Sequence, residues 1–141
     1  MKIAEINELK SIASEIRKKI IEEVYRGNSG HIGGALSCVD ILTVLYFNQM
    51  NINPEFPRNE ERDRFVLSKG HASAALYATL CKRGYFSVEE LNGFRKLNSI
   101  LQGHPDMNKI PGVDMTSGSL RTRIICFKRN GFKFKIGPCW I

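Results

Sequence analysis

Each of the three histidines in the sequence follows a glycine: Gly30-His31, Gly70-His71 and Gly103-His104. Imidazole can give or take a proton near neutral pH, and a preceding glycine lets the backbone come close to a bound molecule. Taken together they are more informative than any one alone. Taken singly, each histidine reads better as a polar turn residue with its ring in water. Gly70-His71 is the more telling of the three, because it follows the apolar run Phe65-Val66-Leu67 and opens an alanine-rich stretch. In open α/β sheets, ligands bind at such a strand end, and helix N-terminal amides receive anions there.

The elements that would position these residues can be read from periodicity. Ile3, Ile6, Leu9, Ile12, Ala13, Ile16, Ile20 and Val24 recur at steps of three and four, which predicts an amphipathic helix ending near Gly27. The glycine-rich stretch Asn28 to Gly34 predicts a loop, followed by a second helix from about Leu36 to Phe47. Asp63 to Ser68 has the pattern of a buried strand in a parallel sheet, and Ala72 to Cys81 that of a compact helix. Ser87-Val88-Glu89-Glu90 forms a capping box that predicts a further helix to about Leu97, ahead of a long loop carrying Gly103-His104-Pro105-Asp106. One strand beside four helices cannot satisfy its own backbone hydrogen bonds, so its partners must lie outside residues 1–120. The expected fold class is α/β, with helices around an incomplete parallel sheet. Such a sheet leaves apolar surface uncovered and predicts marginal stability.

Composition narrows the function classes. The 141 residues are 43% hydrophobic and 25% charged, as in an ordinary globular domain. The longest apolar run, Val39 to Phe47, is interrupted by Asp40 and Thr43, short of the roughly 18 to 20 residues a bilayer needs. The N-terminus carries acids where a secretory signal needs an apolar run, so a cytoplasmic protein without a membrane partner is expected. Cys38, Cys81, Cys126 and Cys139 form no C-x-x-C pair, which argues against a zinc site. Cys38 and Cys81 fall in apolar helical stretches and read as small buried hydrophobes.

The formal charge of +7 is unevenly placed. From Arg121 onward there are six basic residues and no acid, so residues 1–120 hold 15 basic against 14 acidic side chains. Residues 121–141 are thus a separate, irregular basic tail. Taken at face value, the tail offers an alternative function. Phe127-Lys128-Arg129 and Phe132 to Ile136 flank Asn130-Gly131, a favoured two-residue hairpin turn, and alternate aromatic with basic residues as a nucleic-acid-binding ribbon would. The near-neutral remainder supplies no second basic face, so nucleic acid is disfavoured as a partner.

Four motifs in register carry a family resemblance: Ser29-Gly30-His31-Ile32-Gly33-Gly34, Phe65-Val66-Leu67-Ser68-Lys69-Gly70-His71-Ala72, Gly103-His104-Pro105-Asp106 and Thr116-Ser117-Gly118-Ser119-Leu120. In order and spacing they resemble the N-terminal, thiamine-diphosphate-binding part of transketolases, over residues 5 to 120. The related deoxyxylulose-phosphate synthases share the plan but not Gly103-His104-Pro105 in this form. The resemblance implies transfer of a two-carbon ketol unit from a ketose phosphate to an aldose phosphate, with the cofactor ring holding the electron pair left by C–C cleavage. It implies that His31 and His104 face the donor sugar's hydroxyls and that His71 lies near the cofactor diphosphate. Gly118 and Leu120 would contact the cofactor rings. It further implies sugar phosphates and a second transketolase chain, or a homodimer partner, as the interacting species. A non-catalytic partner of intact subunits is the remaining alternative.

The family's Mg2+ site is built on a Gly-Asp-Gly motif, and no such motif occurs here; no acid follows Asp114. No metal ligand is therefore assigned, and residues 1–120 read as a partial domain that is inactive alone. After Leu120 the family pattern continues with Gly-Gln-Gly opening a helix, whereas this chain reads Arg121-Thr122-Arg123. Synonymous codons exist for Arg121 to Ile141 whose second frame reads Gly-Gln-Gly-Leu-Ser-Val-Ser-Asn-Gly-Met-Ala-Leu, which looks like the family continuation. Residues 121–141 are accordingly expected to be out of frame. Sequencing the coding DNA through codon 121 should show that helix in the alternative frame; an unrelated reading there would make the tail a genuine part of the protein.

Overall fold

The computed structural model describes residues 3–118, 124–127 and 133–136. Helix α1 (Ile3–Gly27) forms as its periodicity requires, but it buries only part of the apolar stripe: Ala13, Ile16, Ile20 and, at the next core position, Glu23. Ile3, at the start of the stripe, is 79% exposed. The predicted second helix begins earlier and is broken into α2 (Ile32–Leu36), α3 (Val39–Val44) and a wide π-type turn over Leu45–Gln49. By length and composition, Ile32–Gln49 is apolar enough to cross a membrane, since Asp40 is its single charge, so the expectation that no stretch approaches that limit is revised. In the fold this stretch serves the core, where Ala35, Cys38, Val39 and Leu42 are fully buried.

Helix α4 (Ser73–Arg83) follows the one-turn 3-10 helix Gly70–Ala72. Every residue from Ser73 to Cys81 is buried, so α4 is a central pillar enclosed on all sides rather than a surface helix with one apolar stripe. It stops at Gly84, whose left-handed φ of 98° lets the Gly84 and Tyr85 amides turn back onto the Leu80 carbonyl. The helix predicted after Ser87 is only a 3-10 segment, Val88–Gly93. Ser87 caps it through its backbone carbonyl, which accepts from the Glu90 amide at 3.3 Å, and not through its hydroxyl. The Ser87 hydroxyl instead bonds Glu89 and holds that carboxyl below its usual range. Positive φ values at Arg95 (58°) and Asn98 (63°) then reverse the chain, which is why no helix reaches Leu97.

Strand β1 (Arg64–Leu67) lies where the sequence places it and alternates, with Phe65 and Leu67 buried and Arg64 exposed. The sheet around it differs from expectation. Strand β1 is joined by β2 (Ile124–Phe127), which in turn pairs with β3 (Lys133–Ile136), in the order β1-β2-β3 and antiparallel throughout. Arg64 pairs with Phe127 and Leu67 with Ile124, while Ile124 pairs with Ile136. Among the described residues, then, the sheet is not parallel, and the tail is not irregular where it forms these strands. The 56 residues between Leu67 and Ile124 are more than a parallel crossover needs, so chain length does not decide the direction, and the residue pattern of β1 fits either. The Asn130-Gly131 turn lies outside the described residues.

Glu23 is the anomaly of the core. It is 1% exposed, neither carboxylate oxygen has a hydrogen-bond partner, and it borders a cavity of about 240 Å³ between α1 and the 3-10 segment Val88–Gly93. Burial, only slightly offset by Lys19, pushes its pKa from 4.5 up to about 9. Because the raised value favours the protonated carboxyl, folding takes up a proton, and stability falls as pH rises from 4.5 through 9. Glu23→Met should therefore raise stability by roughly 1–3 kcal/mol near neutral pH, the usual cost of an unsatisfied buried polar group, and flatten its pH dependence. Urea unfolding at pH 5 and pH 8 checks this; a variant less stable than the parent at pH 8 would contradict it.

Candidate functional site

The three glycine-histidine turns converge beyond the C-terminal end of β1. His31 immediately precedes α2, and its ring meets that of His71 edge-on, with centroids 5.2 Å apart and planes at 76°. His71 sits in the Gly70–Ala72 turn between β1 and α4. A methyl group on Gly70 would lie 2.8 Å from the Gly118 carbonyl oxygen, 2.9 Å from His104 Cδ2 and 3.0 Å from Ser117 Oγ. The bare backbone at Gly70 is thus what allows the third and fourth motifs to close over the second. Gly34 brings the first motif to the same place, where a methyl would make ordinary contacts with Lys69 Cε at 3.4 Å and the His71 ring at 3.6 Å.

The loop bearing His104 has no regular structure, so side chains hold it. From α4, the Ser73 hydroxyl donates to the Gly103 carbonyl at 2.9 Å and the Tyr77 hydroxyl to the Gln102 carbonyl at 2.8 Å. The Gln102 side-chain Nε2 donates to the Ser99 carbonyl at 2.7 Å, and the Arg95 backbone amide to the Leu101 carbonyl at 2.8 Å. The Arg95 guanidinium packs against Gly103 and donates to Ser29 Oγ at 2.5 Å, joining the loop of His31 to that of His104. Farther on, Asp114 is ion-paired with Arg62 and accepts from the Phe65 amide at 2.7 Å, which ties residues leading to Ser117 and Gly118 onto β1.

His31 and His104 are exposed, as a substrate-facing role requires, and Gly118 is exposed with open space where a side chain would stand. His71 is half-buried. Its pKa lies below the ordinary 6.5, first because of burial and then because of the positive charges of His31, Lys69 and His104. Leu120 lies outside the described residues. Of the predicted residues, His31, His71, His104 and Gly118 are therefore brought into one cluster.

Sequence reasoning passed over Lys69, which is 1% exposed, although it stands inside a quoted motif and a lysine flanked by a buried strand is a readable signal. It also passed over Ser117, Arg95 and Asp114, whose importance depends on contacts distant in sequence. No group of three or more metal-binding side chains occurs among the described residues. A larger cavity, of about 470 Å³, opens at the start of β1 between Arg62 and Lys109 and contains none of the histidines.

Residues 8–127 match the family model described as transketolase, thiamine diphosphate binding domain. The chain belongs to the transketolase family. The match runs seven residues past Leu120. One subunit of the apulose-4-phosphate transketolase of Phocaeicola vulgatus is 46% identical over 104 residues, 74% of this chain and 37% of that relative. The 6-deoxy-6-sulfo-D-fructose transketolase subunit SqwG of a Clostridium species is 46% identical over 113 residues, 80% of this chain and 41% of the relative. Among solved structures, transketolase from Leishmania mexicana superposes with a TM-score of 0.75 at 37% identity, and that from Campylobacter jejuni with 0.74 at 38%. They match 78% and 84% of this chain, which spans 17% and 18% of theirs. This transketolase-family chain therefore covers about two fifths of its subunit-type relatives and under a fifth of these two transketolases.

The electrostatics of the cluster are open to direct titration. Proton NMR of the imidazole C2–H should place the His71 midpoint below 6.5, and His31→Asn should move it part of the way back, since a neighbouring charge is lost while burial remains. A His71 midpoint at or above 6.5 in the parent chain would contradict this electrostatic picture.

Proposed function

We propose that this chain is the N-terminal portion of a transketolase-type site, in which thiamine diphosphate serves transfer of a two-carbon ketol unit between sugar phosphates. The observation that carries the proposal is the convergence of three glycine-histidine turns and Gly118 at the end of β1, with His31 and His71 in ring contact. The residues present fit the cofactor's charged end. Lys69 brings a buried ammonium, Ser117 a buried hydroxyl without a hydrogen-bond partner, and Gly70 a backbone cradle that any side chain would fill. His71 would lie beside the diphosphate, and Gly118 with Leu120 against the cofactor rings.

When bound, thiamine diphosphate supplies a carbon nucleophile and an electron sink for C–C cleavage. The chain's own part is binding and proton movement. His31 and His104, exposed and on separate loops, would hydrogen-bond the donor's hydroxyls and pass protons to and from them near neutral pH. The hydrogen bonds from α4 and Arg95 fix the relative placement of those loops, and a well-oriented pair of groups lowers the entropic part of the barrier.

The site as proposed needs more than this chain. The Mg2+ ligands and the group that activates the cofactor's pyrimidine would come from sequence beyond Leu120, in a longer product or a second chain. The names of two relatives, each given as one subunit of a transketolase, fit a divided arrangement of this kind. An out-of-frame segment after Leu120 would leave the chain inactive by itself in a cytoplasmic setting. The test is ketol transfer from a ketose phosphate to an aldose phosphate, measured for the chain alone and with the remainder of a transketolase-family protein supplied in trans. No turnover is expected alone and measurable turnover in the complemented assembly, falling roughly 10²-fold or more in His31→Asn or His104→Asn. Full activity of both variants in that assembly would sink the reading.

A further inference from the structure

The cavity of about 470 Å³ at the start of β1 lies at the opposite end of that strand from the histidine cluster, and its volume is in the range of small-molecule sites. Four basic side chains line it, Arg58, Arg62, Arg64 and Lys109, against one acid, Asp114. That acid is already committed, since its two oxygens accept from the Arg62 guanidinium and the Phe65 amide. Arg58 and Arg64 make no ion pair among the described residues, and Lys109 meets Asp106 only at 3.9 Å, with both groups partly exposed. The acids next to these arginines in the sequence, Glu60, Glu61 and Asp63, do not line the cavity. Charges of one sign around a concave wall add their fields inside it, so the cavity favours an anion.

Its base carries the more particular signal. The side chains of Arg62 and Asp114 are 8% and 3% exposed. Arg62 Nε donates to the Pro57 carbonyl at 2.7 Å, one Nη to the Asp63 carbonyl at 3.0 Å and the other Nη to Asp114. A guanidinium has five N–H donors, so two of them are left without an acceptor among the described residues. Buried donors are normally satisfied, and an acceptor entering the cavity that Arg62 lines would complete the set. The remaining wall is of another kind. Pro57, Met107 and Pro111 supply apolar surface there, and Met107 is 50% exposed. A lone phosphate would leave that surface in water; a flat ring would cover it, and a guanidinium such as that of Arg58 stacks on such a ring.

We propose that this cavity is a binding site for a nucleoside phosphate, whose phosphate oxygens take the two spare Arg62 donors together with Arg64 and Lys109, and whose base lies on Pro57, Met107 and Pro111 with the Arg58 guanidinium stacked on it. The inference is independent of the transketolase-type site, with which the cavity shares none of the three histidines. Arg62 is fixed by its three hydrogen bonds and presents its free donors without conformational search, and Asp114, holding both Arg62 and Phe65, is already neutralised. Arg58 and Arg64 are exposed and supply charge at the mouth.

The test is calorimetric titration of the full chain with ADP, pyrophosphate, adenosine, thiamine diphosphate and a single-stranded RNA, repeated for Arg58→Gln, Arg64→Gln and the double variant. ADP should bind the parent more tightly than pyrophosphate or adenosine, and saturating thiamine diphosphate should leave the ADP affinity unchanged. The variants should melt with the parent, while ADP weakens roughly threefold for each single change and roughly tenfold or more for both together. Absence of ADP binding by the parent overturns the inference, as does equal ADP affinity in the parent and the double variant, which would put the ligand elsewhere. Pyrophosphate binding as tightly as ADP overturns the nucleoside class. Displacement of ADP by thiamine diphosphate overturns the separate site, by moving ADP to the histidine cluster, and says nothing against the transketolase-type reading. RNA binding tighter than ADP and lost in the double variant also overturns it, by making nucleic acid the occupant. Should the double variant not fold, amide NMR of the parent decides: the signals of Asn108 to Gly112 must move on ADP addition while those of Gly70 and His71 stay, and the reverse pattern or no movement overturns the proposal.

Discussion

The Asp114 carboxylate, held inside the molecule beside β1, accepts hydrogen bonds from the Arg62 guanidinium and the Phe65 amide. Everything between Phe94 and Gly118 lacks helix and strand, and a chain of that length is placed only if something at its far end is fastened. Asp114 is that fastening. Both members of its ion pair are nearly inaccessible, so neither charge can be relieved by water, and loss of either would strand the other. Through this contact the segment carrying Thr116, Ser117 and Gly118 comes back to the strand whose end bears Gly70 and His71.

A second set of constraints works from the opposite side. Helix α4 is buried around its circumference, so its two polar side chains at the first turns, Ser73 and Tyr77, have nowhere to hydrogen-bond except inward, to the Gly103 and Gln102 carbonyls. The same pair of bonds satisfies α4 and sets the approach of His104. Arg95 completes the enclosure from the solvent side, in a left-handed backbone conformation that only surrounding contacts can maintain. The site is thus a meeting of loops on a rigid helix and strand, and its positive charge is concentrated at the one turn those two elements share.

The order of elements was legible in the residues. The stripe from Ile3 to Val24 encodes α1, Phe65 to Leu67 encode β1, and the glycine-histidine pairs mark the turns that meet. What periodicity could not supply was anything set by contacts far apart in sequence. Glu23 occupies a core position that a stripe of apolar residues gives no reason to assign to an acid. The hydroxyl of Ser87 satisfies Glu89 rather than an amide, so a sequence-perfect capping box yields only a 3-10 turn. An apolar run in a parallel sheet reads the same as one covered by an antiparallel pair, so the residues of β1 do not reveal the direction of its neighbour. Lys69 was visible as a residue but not as an unpaired buried charge, because burial is a property of the assembled site.

The pairing of β1 with β2 has a vectorial consequence. Among the described residues β1 has a strand neighbour on one side only, and its Phe65 amide is taken by Asp114. A strand arriving from elsewhere has two routes: it can add to that other edge, or it can exchange with the β2–β3 pair and inherit its register. The first route enlarges the sheet but competes with Asp114 for the Phe65 amide. The second is a competition between an intramolecular strand, favoured by its tether, and an incoming one that must bring a longer ladder or a better-packed face to win.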